Sequence, residues 1–413
     1  MGRYRWLAIR KRFAMRTKRD EPGESMEMKM HIMLIYRRMI PSIQLCGHSQ
    51  LQYLNQIGEV EYRAYQEMEL DDEKLNWADV ILLGRLDDWY ERQITTKLHR
   101  AGKYLIYILD DDLLNIPKTI SSSAYYARED IQQNIRAILE MSDALLSPSP
   151  VIFQKYLQQG QKPIRVEEPA LRISEWKAHE ADGPVKIGFA GSIDRTADVE
   201  LLLEKVFRRI HEEYGEKVKI QFCGAHPSFA EEINAECAPF CESYEAYLEN
   251  FQKRQWDIGL APMPDAEFHA CKHYIKLIEY GAAGTAFVYS NVEPYSRFYK
   301  RFGMETACKN TEEEWYQAVK ELLDNREKRE ELRKKANICI RENFSVQKTA
   351  EELYKQLSEI TYSKSRNPVQ YHLGMIKAKG MARRCLSVAR TYGWKLPMVA
   401  IEKLKMKNRE IRG

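Results

Sequence analysis

The chain has 413 residues, 44% hydrophobic and 30% charged, with a formal net charge of +4. That length exceeds one ordinary core and argues for two domains. The composition excludes a disordered chain, and no stretch approaches the roughly 20 apolar residues of a transmembrane helix. Charge is uneven: residues 1–30 carry nine Lys/Arg against four acids, and residues 363–413 thirteen against two, which leaves the body between them at −12.

Residues 1–29 read as a basic extension. They lack the apolar segment of a secretory signal, and the eight cysteines, mostly scattered singly, suit a reducing compartment. A cytoplasmic location is expected. The first domain, residues 30–168, alternates apolar runs with helical stretches. HIMLIY (31–36), DVILLG (79–84), KYLIYIL (103–109) and DALLSP (143–148) are of buried-strand type. WYERQITTKLHRAG (89–102) and AREDIQQNIRAILEMS (127–142) lie between them as helices. Strands apolar throughout and separated by helices predict a parallel sheet covered on both faces.

Three places in this half carry candidate chemistry. Gly47 and His48 follow the first strand, and His48 is a candidate base. Arg85 closes a second strand. Asp110, Asp111 and Asp112, in YILDDDLLNIP (107–117), follow a third. One aspartate suffices to cap a turn; three adjacent like charges repel, and exceed that need. At a strand end facing a cleft, such carboxylates accept from hydroxyls or withdraw a proton. Asp110 and Asp112 also spell a D-x-D metal pattern.

Residues 169–184, polar and bounded by prolines, read as the linker. A second alternation fills residues 185–346: VKIGFAG (185–191), DVELLLEKVFRRIHEEYG (198–215), KVKIQFCG (217–224), ESYEAYLENFQKR (242–254), WDIGLAP (256–262), TAFVYS (285–290) and one long helix over 312–344. Residues 347–362 read as a helix packing back on the body, and 363–413 as a basic amphipathic tail suited to an anionic membrane surface. The expected class is α/β, two Rossmann-like doubly wound domains facing a cleft.

The strongest local signal is KHYIKLIEYGAAG (272–284). Lys272, Lys276 and Glu279 are spaced i, i+4, i+7 on one helix face. The first-turn amides, here at Tyr274 and Ile275, lack intrahelical acceptors. With the helix dipole and two ammonium groups they make a cradle for a diphosphate, and Glu279 is placed to accept from a ribose diol. In GFAGSID (188–194), Gly191 and Ser192 offer further amides at a strand's carboxyl end. Neither the Cys237/Cys241 pair nor HACKH (269–273) has the spacing of a zinc site, so no metal is expected.

Together FAGSID, DIGLAP, the lysine pair before IEYGAAG, and SNVEPY (290–295) make residues 185–360 resemble the nucleotide-sugar domain of the glycosyl transferases of group 1, retaining enzymes of the GT-B fold. The resemblance implies a nucleotide-diphosphate sugar donor, no required metal or other cofactor, and retention. It implies Lys276 on the diphosphate as a catalytic group and Glu279 on the ribose; GFAGSID lacks the arginine some members use, and Arg195, close behind it, is the candidate for the phosphates. Cys271 stands where the family often has a glutamate touching the sugar. A glycan or lipid-linked acceptor at a cell surface is expected, and nucleic acid is not, since the body is acidic. Three rivals remain: a metal-dependent GT-A-type transferase using Asp110 and Asp112, a sugar-nucleotide epimerase, and a non-catalytic GT-B partner subunit tethering other enzymes to the membrane.

Overall fold

The computed structural model describes residues 29–177, 183–239, 241, 243–304, 306–362 and 368–392. Among them two six-stranded parallel sheets form, within one compact unit that begins at His31. The first comprises β1 (His31–Tyr36), β2 (Glu61–Gln66), β3 (Val80–Gly84), β4 (Tyr104–Ile108), β5 (Ala144–Ser147) and β6 (Lys162–Arg165), in the order β2-β1-β3-β4-β5-β6. Its helices include α1 (Ser49–Gln56), α2 (Trp89–Arg100), α3 (Glu129–Met141) and α4 (Pro150–Tyr156). Central β3 is buried along its whole length, as its apolar run requires. β2, with the sequence EYRAYQ, is a half-exposed edge strand, and its polar composition hides it from a search for apolar runs.

The second sheet holds β7 (Val185–Ala190), β8 (Val218–Cys223), β9 (Glu236–Ala238), β10 (Ile258–Ala261), β11 (Ala286–Ser290) and β12 (Ala307–Cys308), ordered β12-β11-β10-β7-β8-β9. Around it lie α5 (Thr196–Tyr214), α6 (Tyr244–Arg254), α7 (Ile275–Ala282), α8 (Glu312–Asp324) and α9 (Arg326–Asn343). Gly188 of β7 pairs with Gly259 of β10. A Cβ on the first would sit 2.3 Å from the Trp256 ring, and on the second 2.7 Å from the Tyr280 ring. The paired glycines thus form a recess in the sheet that seats two aromatic side chains. The helix expected over 312–344 is two helices, because Asn325 leaves helical geometry and its side chain accepts from the Lys328 amide, capping a new start.

After α9 the chain returns to the first half, where α10 (Val346–Leu357) packs on α1. Helix α11 (Leu373–Tyr392) packs on α2. Its Arg384 reaches Asp88 and Glu67, both at 2.6 Å, so this part of the expected tail is anchored to the body. The rest of the tail (393–413) and residues 1–28 lie outside the described residues.

In each sheet the strand order reverses beside the first strand, between β1 and β3 and between β7 and β10. Crevices at the carboxyl ends of strands next to such reversals are where open α/β sheets bind ligands.

Candidate active site

A cavity of about 1150 Å³ lies where the carboxyl ends of the two sheets meet. His48, Asp110 and Asp111 line it from the first half, and Gly191, Ser192, Arg195, Lys272, Ile275, Lys276 and Glu279 from the second. Tyr274, Gly47, Arg85 and Asp112 are not on its wall.

Helix α7 opens at Ile275, and the amides of Ile275 and Lys276 have no acceptor among the described residues. Lys276 Nζ lies 2.7 Å from Glu279 Oε2, one turn further in. Glu279, only 5% exposed, also accepts from the hydroxyls of Tyr244 and Tyr247, each at 2.8 Å. Those tyrosines, three apart on α6, stack at 5.8 Å, and Tyr247 stacks on Phe251 at 6.0 Å. Burial, and then the Glu279 charge, push both phenols well above their ordinary range, so they remain donors. The pair was not singled out in the sequence, although an i, i+3 tyrosine pair on a predicted helix is a visible signal.

Lys272 crosses the cavity. Its Nζ is 2.7 Å from Asp111 and lies over the Phe268 ring. Burial tends to raise the Asp111 carboxyl, but Lys272, with Arg85 and Arg195, holds it below the ordinary range. Asp110 is buried beside Arg85 at 3.0 Å. There burial outweighs the arginine and pushes the carboxyl up. Arg85 itself, in the left-handed region at φ 51°, stands behind Asp110 and also donates to Ser42.

Asp112 points elsewhere. It is fully buried, 2.7 Å from Lys155 and bonded to Tyr156 and Asn115. Asp110 and Asp112 are therefore each held by a different cation and do not converge as a ligand pair. Cys271 is buried with its Sγ 3.9 Å from Asp112 and is likewise off the cavity wall. Among the described residues no cluster of His, Cys, Asp and Glu is arranged to hold a metal ion.

Of the two amides expected at the end of β7, that of Gly191 is occupied. The Gly191 N–H donates to the Cys223 carbonyl at 2.9 Å, extending the sheet. A Cβ there would meet the Phe189 ring at 2.7 Å, so this glycine serves close packing at the cavity wall. The Gly47 N–H donates to Gln50 Oε1, and its φ of 129° demands glycine. Ser192 is exposed at the cavity mouth. Arg195 is fixed by Asp198 at 2.8 Å and the Pro262 carbonyl at 2.7 Å. His48 bonds Tyr62 at 2.7 Å, and burial lowers its pKa, which favours neutral imidazole.

Two further wall residues, Glu168 and His273, were not anticipated. His273 lies 3.0 Å from Glu168 and 3.3 Å from Glu167, tying the start of α7 to the crossing strand of chain. Glu167 also takes Tyr274 at 2.8 Å and Arg301 at 2.6 Å, which turns the Tyr274 side chain away from the cavity. Burial opposes ionisation of Glu167, but His273, Arg165 and Arg301 bring it down to about 2. Burial likewise opposes protonation of His273, and the two glutamates reverse it, raising its pKa.

No family model matches the sequence, and no curated protein matches it. Solved structures do. One is an α-glucosyltransferase in complex with UDP and a 13-mer DNA (13% identity, 80% of this chain and 100% of that one, TM-score 0.55). Another is Anabaena HepE in complex with UDP and glucose (10%, 80% and 100%, 0.53). A third is a Listeria monocytogenes protein assigned as a UDP-N-acetylglucosamine 2-epimerase (12%, 83% and 99%, 0.50). The two parallel sheets meeting across one cavity, together with these likenesses, give the chain the GT-B fold.

Proposed function

We propose that the protein is a glycosyltransferase that moves a sugar from a nucleoside-diphosphate donor to a glycan or lipid-linked acceptor. The observation that carries this reading is the start of α7 on the cavity wall, where free amides, Lys272 and the Lys276–Glu279 pair line the same cavity. Those groups match a diphosphate followed by a ribose diol. The presence of UDP in two proteins of like fold supports the choice of donor class.

In the reaction, the bond between the anomeric carbon and the diphosphate oxygen breaks. Negative charge grows on the departing diphosphate, where Lys276 and the helix amides stabilise it as an oxyanion hole would. The acceptor hydroxyl forms the new glycosidic bond, and its proton passes to the leaving phosphate oxygen, which corresponds to retention and requires no metal. Asp110 and His48, on the opposite wall, orient the acceptor hydroxyl.

The protein is further proposed to rest on an anionic membrane through α11. Outside its anchored face that helix exposes Met375 (70%), Met381 (57%) and Leu386 (59%) beside Lys379. Among the described residues no helix is long and apolar enough to cross a membrane.

A panel of nucleotide sugars in a thermal-shift assay, followed by product analysis with and without an acceptor glycan, tests the reading. Stabilisation by a nucleotide sugar and transfer that depends on acceptor are expected. The likeness to an epimerase-type structure favours one alternative, a sugar-nucleotide epimerase. Product formed without any acceptor selects it.

A further inference from the structure

A second depression, of about 480 Å³, opens off the main cavity and shares Met39, His48 and Gln52 with it. One wall is a helical face, since His48, Gln52, Asn55 and Gln56 are spaced i, i+4, i+7, i+8. Tyr36, at the end of β1, and Tyr62, in β2, form the other. Because β2 is the sheet edge, the groove leads from the acceptor side of the cavity to the outside of the molecule.

Its chemistry differs from that of the cavity it joins. The cavity wall carries Asp110, Asp111, Arg195, Lys272 and Lys276, whereas no Asp, Glu, Lys or Arg lines the groove among the described residues. Gln52 and Gln56 are exposed, and their side-chain amides make no hydrogen bond among the described residues. Asn55 uses its oxygen on the Tyr62 amide at 2.9 Å and leaves its NH₂ free. Amides that both donate and accept, beside phenol rings, suit a neutral polyhydroxyl chain. An acidic or phosphorylated chain would lose hydration there and meet no cation.

We propose that this groove holds the sugar residues next to the acceptor hydroxyl, and that the acceptor is a neutral oligosaccharide along that stretch. The proposal rests on the glycosyltransferase reading and narrows its acceptor class.

Saturation-transfer NMR on the full chain, with UDP present, tests it. The probes are neutral oligomers of glucose, galactose and N-acetylglucosamine, beside galacturonate oligomers of equal length. Saturation of a neutral series and not of galacturonate is expected. The double variant Gln52→Ala/Gln56→Ala should bind the neutral oligomer about tenfold more weakly, while UDP binding, titrated in parallel, stays unchanged. Both positions are exposed, so the variant folds. Equal binding by the variant, equal or stronger saturation of galacturonate, or saturation of no series overturns the proposal. Absent UDP binding with neutral oligomers still bound in this pattern overturns the donor assignment and supports the groove.

Discussion

Lys272 Nζ lies 2.7 Å from the Asp111 carboxylate, so a cation on the donor wall is neutralised by an anion on the acceptor wall. Other bonds span the same gap: Asp194 to Ser121 at 3.0 Å, Glu267 to Lys155 at 2.8 Å, and Glu245 to Gln44. The halves are thus clasped around the cavity by polar contacts that a ligand's charge can replace. At the proposed donor site, a bound diphosphate would compete with Asp111 for Lys272. The variant Asp111→Asn should therefore bind UDP more tightly, by up to about tenfold, or about 1.4 kcal/mol, and Lys272→Ala more weakly. Calorimetric titration checks both. Weaker binding by Asp111→Asn would show that the carboxylate helps to hold the nucleotide.

In the proposed reaction Lys276 stabilises the leaving group, so its removal should be felt in turnover. Its partner Glu279 keeps the Tyr244 and Tyr247 hydroxyls when the lysine is lost, so the carboxylate is not left bare. Lys276→Ala should lower kcat by roughly 10²–10³-fold, the usual cost of deleting one donor to developing negative charge, with little change in Tm. Wild-type turnover in that variant would remove the electrostatic mechanism.

The His273 bridge predicts a pH dependence with a definite sign. Burial disfavours the imidazolium, but Glu168 and Glu167 reverse this and raise its pKa above the unfolded value of about 6.5. Its stabilising contribution is therefore complete below about pH 6.5 and is lost as pH rises through the raised folded value. Glu167 works in the opposite direction: its contribution is present above its unfolded value and disappears as pH falls toward about 2. Melting temperatures of wild type and His273→Gln, compared at about pH 6 and about pH 9, should differ more at the lower pH. A constant gap between the two proteins would mean that the ring is neutral in the folded state.

Why Lys276 and Glu279 were legible and Glu168 was not is a matter of range. The first two are three residues apart on one helix, and helical periodicity alone puts them together. His273 and Glu168 are 105 residues apart, and only the return of the chain between the sheets joins them. The buried central strands announced themselves as apolar runs, whereas β2 is a polar edge and β12 spans two residues. Asn325 is a good helix N-cap inside a run of helix formers, so the break it causes shows only when its side-chain bond is seen. In the aspartate run, composition indicated clustered charge but not direction, since neighbouring residues leave the backbone at different angles.

That difference of direction separates the roles of Asp110 and Asp112 and makes them distinguishable by experiment. Asp112 is fully buried with Lys155, Tyr156 and Asn115 as partners, whereas Asp110 lies on the cavity wall with Arg85 behind it. Removing Asp112 leaves Lys155 with Glu267 alone, at 2.8 Å and near the surface. Breaking a buried pair in this way costs roughly 3–5 kcal/mol, and the remaining glutamate places the loss at the lower end. Asp112→Ala should therefore lower stability in denaturant titration while kcat per folded molecule stays near wild type. Asp110→Asn keeps the side-chain shape but leaves Arg85 without its carboxylate, so it too should lose some stability. Unlike Asp112→Ala, it should also lower kcat per folded molecule. Activity of both variants and of the wild type should be indifferent to EDTA. If Asp112→Ala were instead inactive at unchanged stability, and the wild-type protein lost activity on chelation, the two carboxylates would have to converge on a metal in the working enzyme, and the separate ion pairs described above would have to break for them to do so.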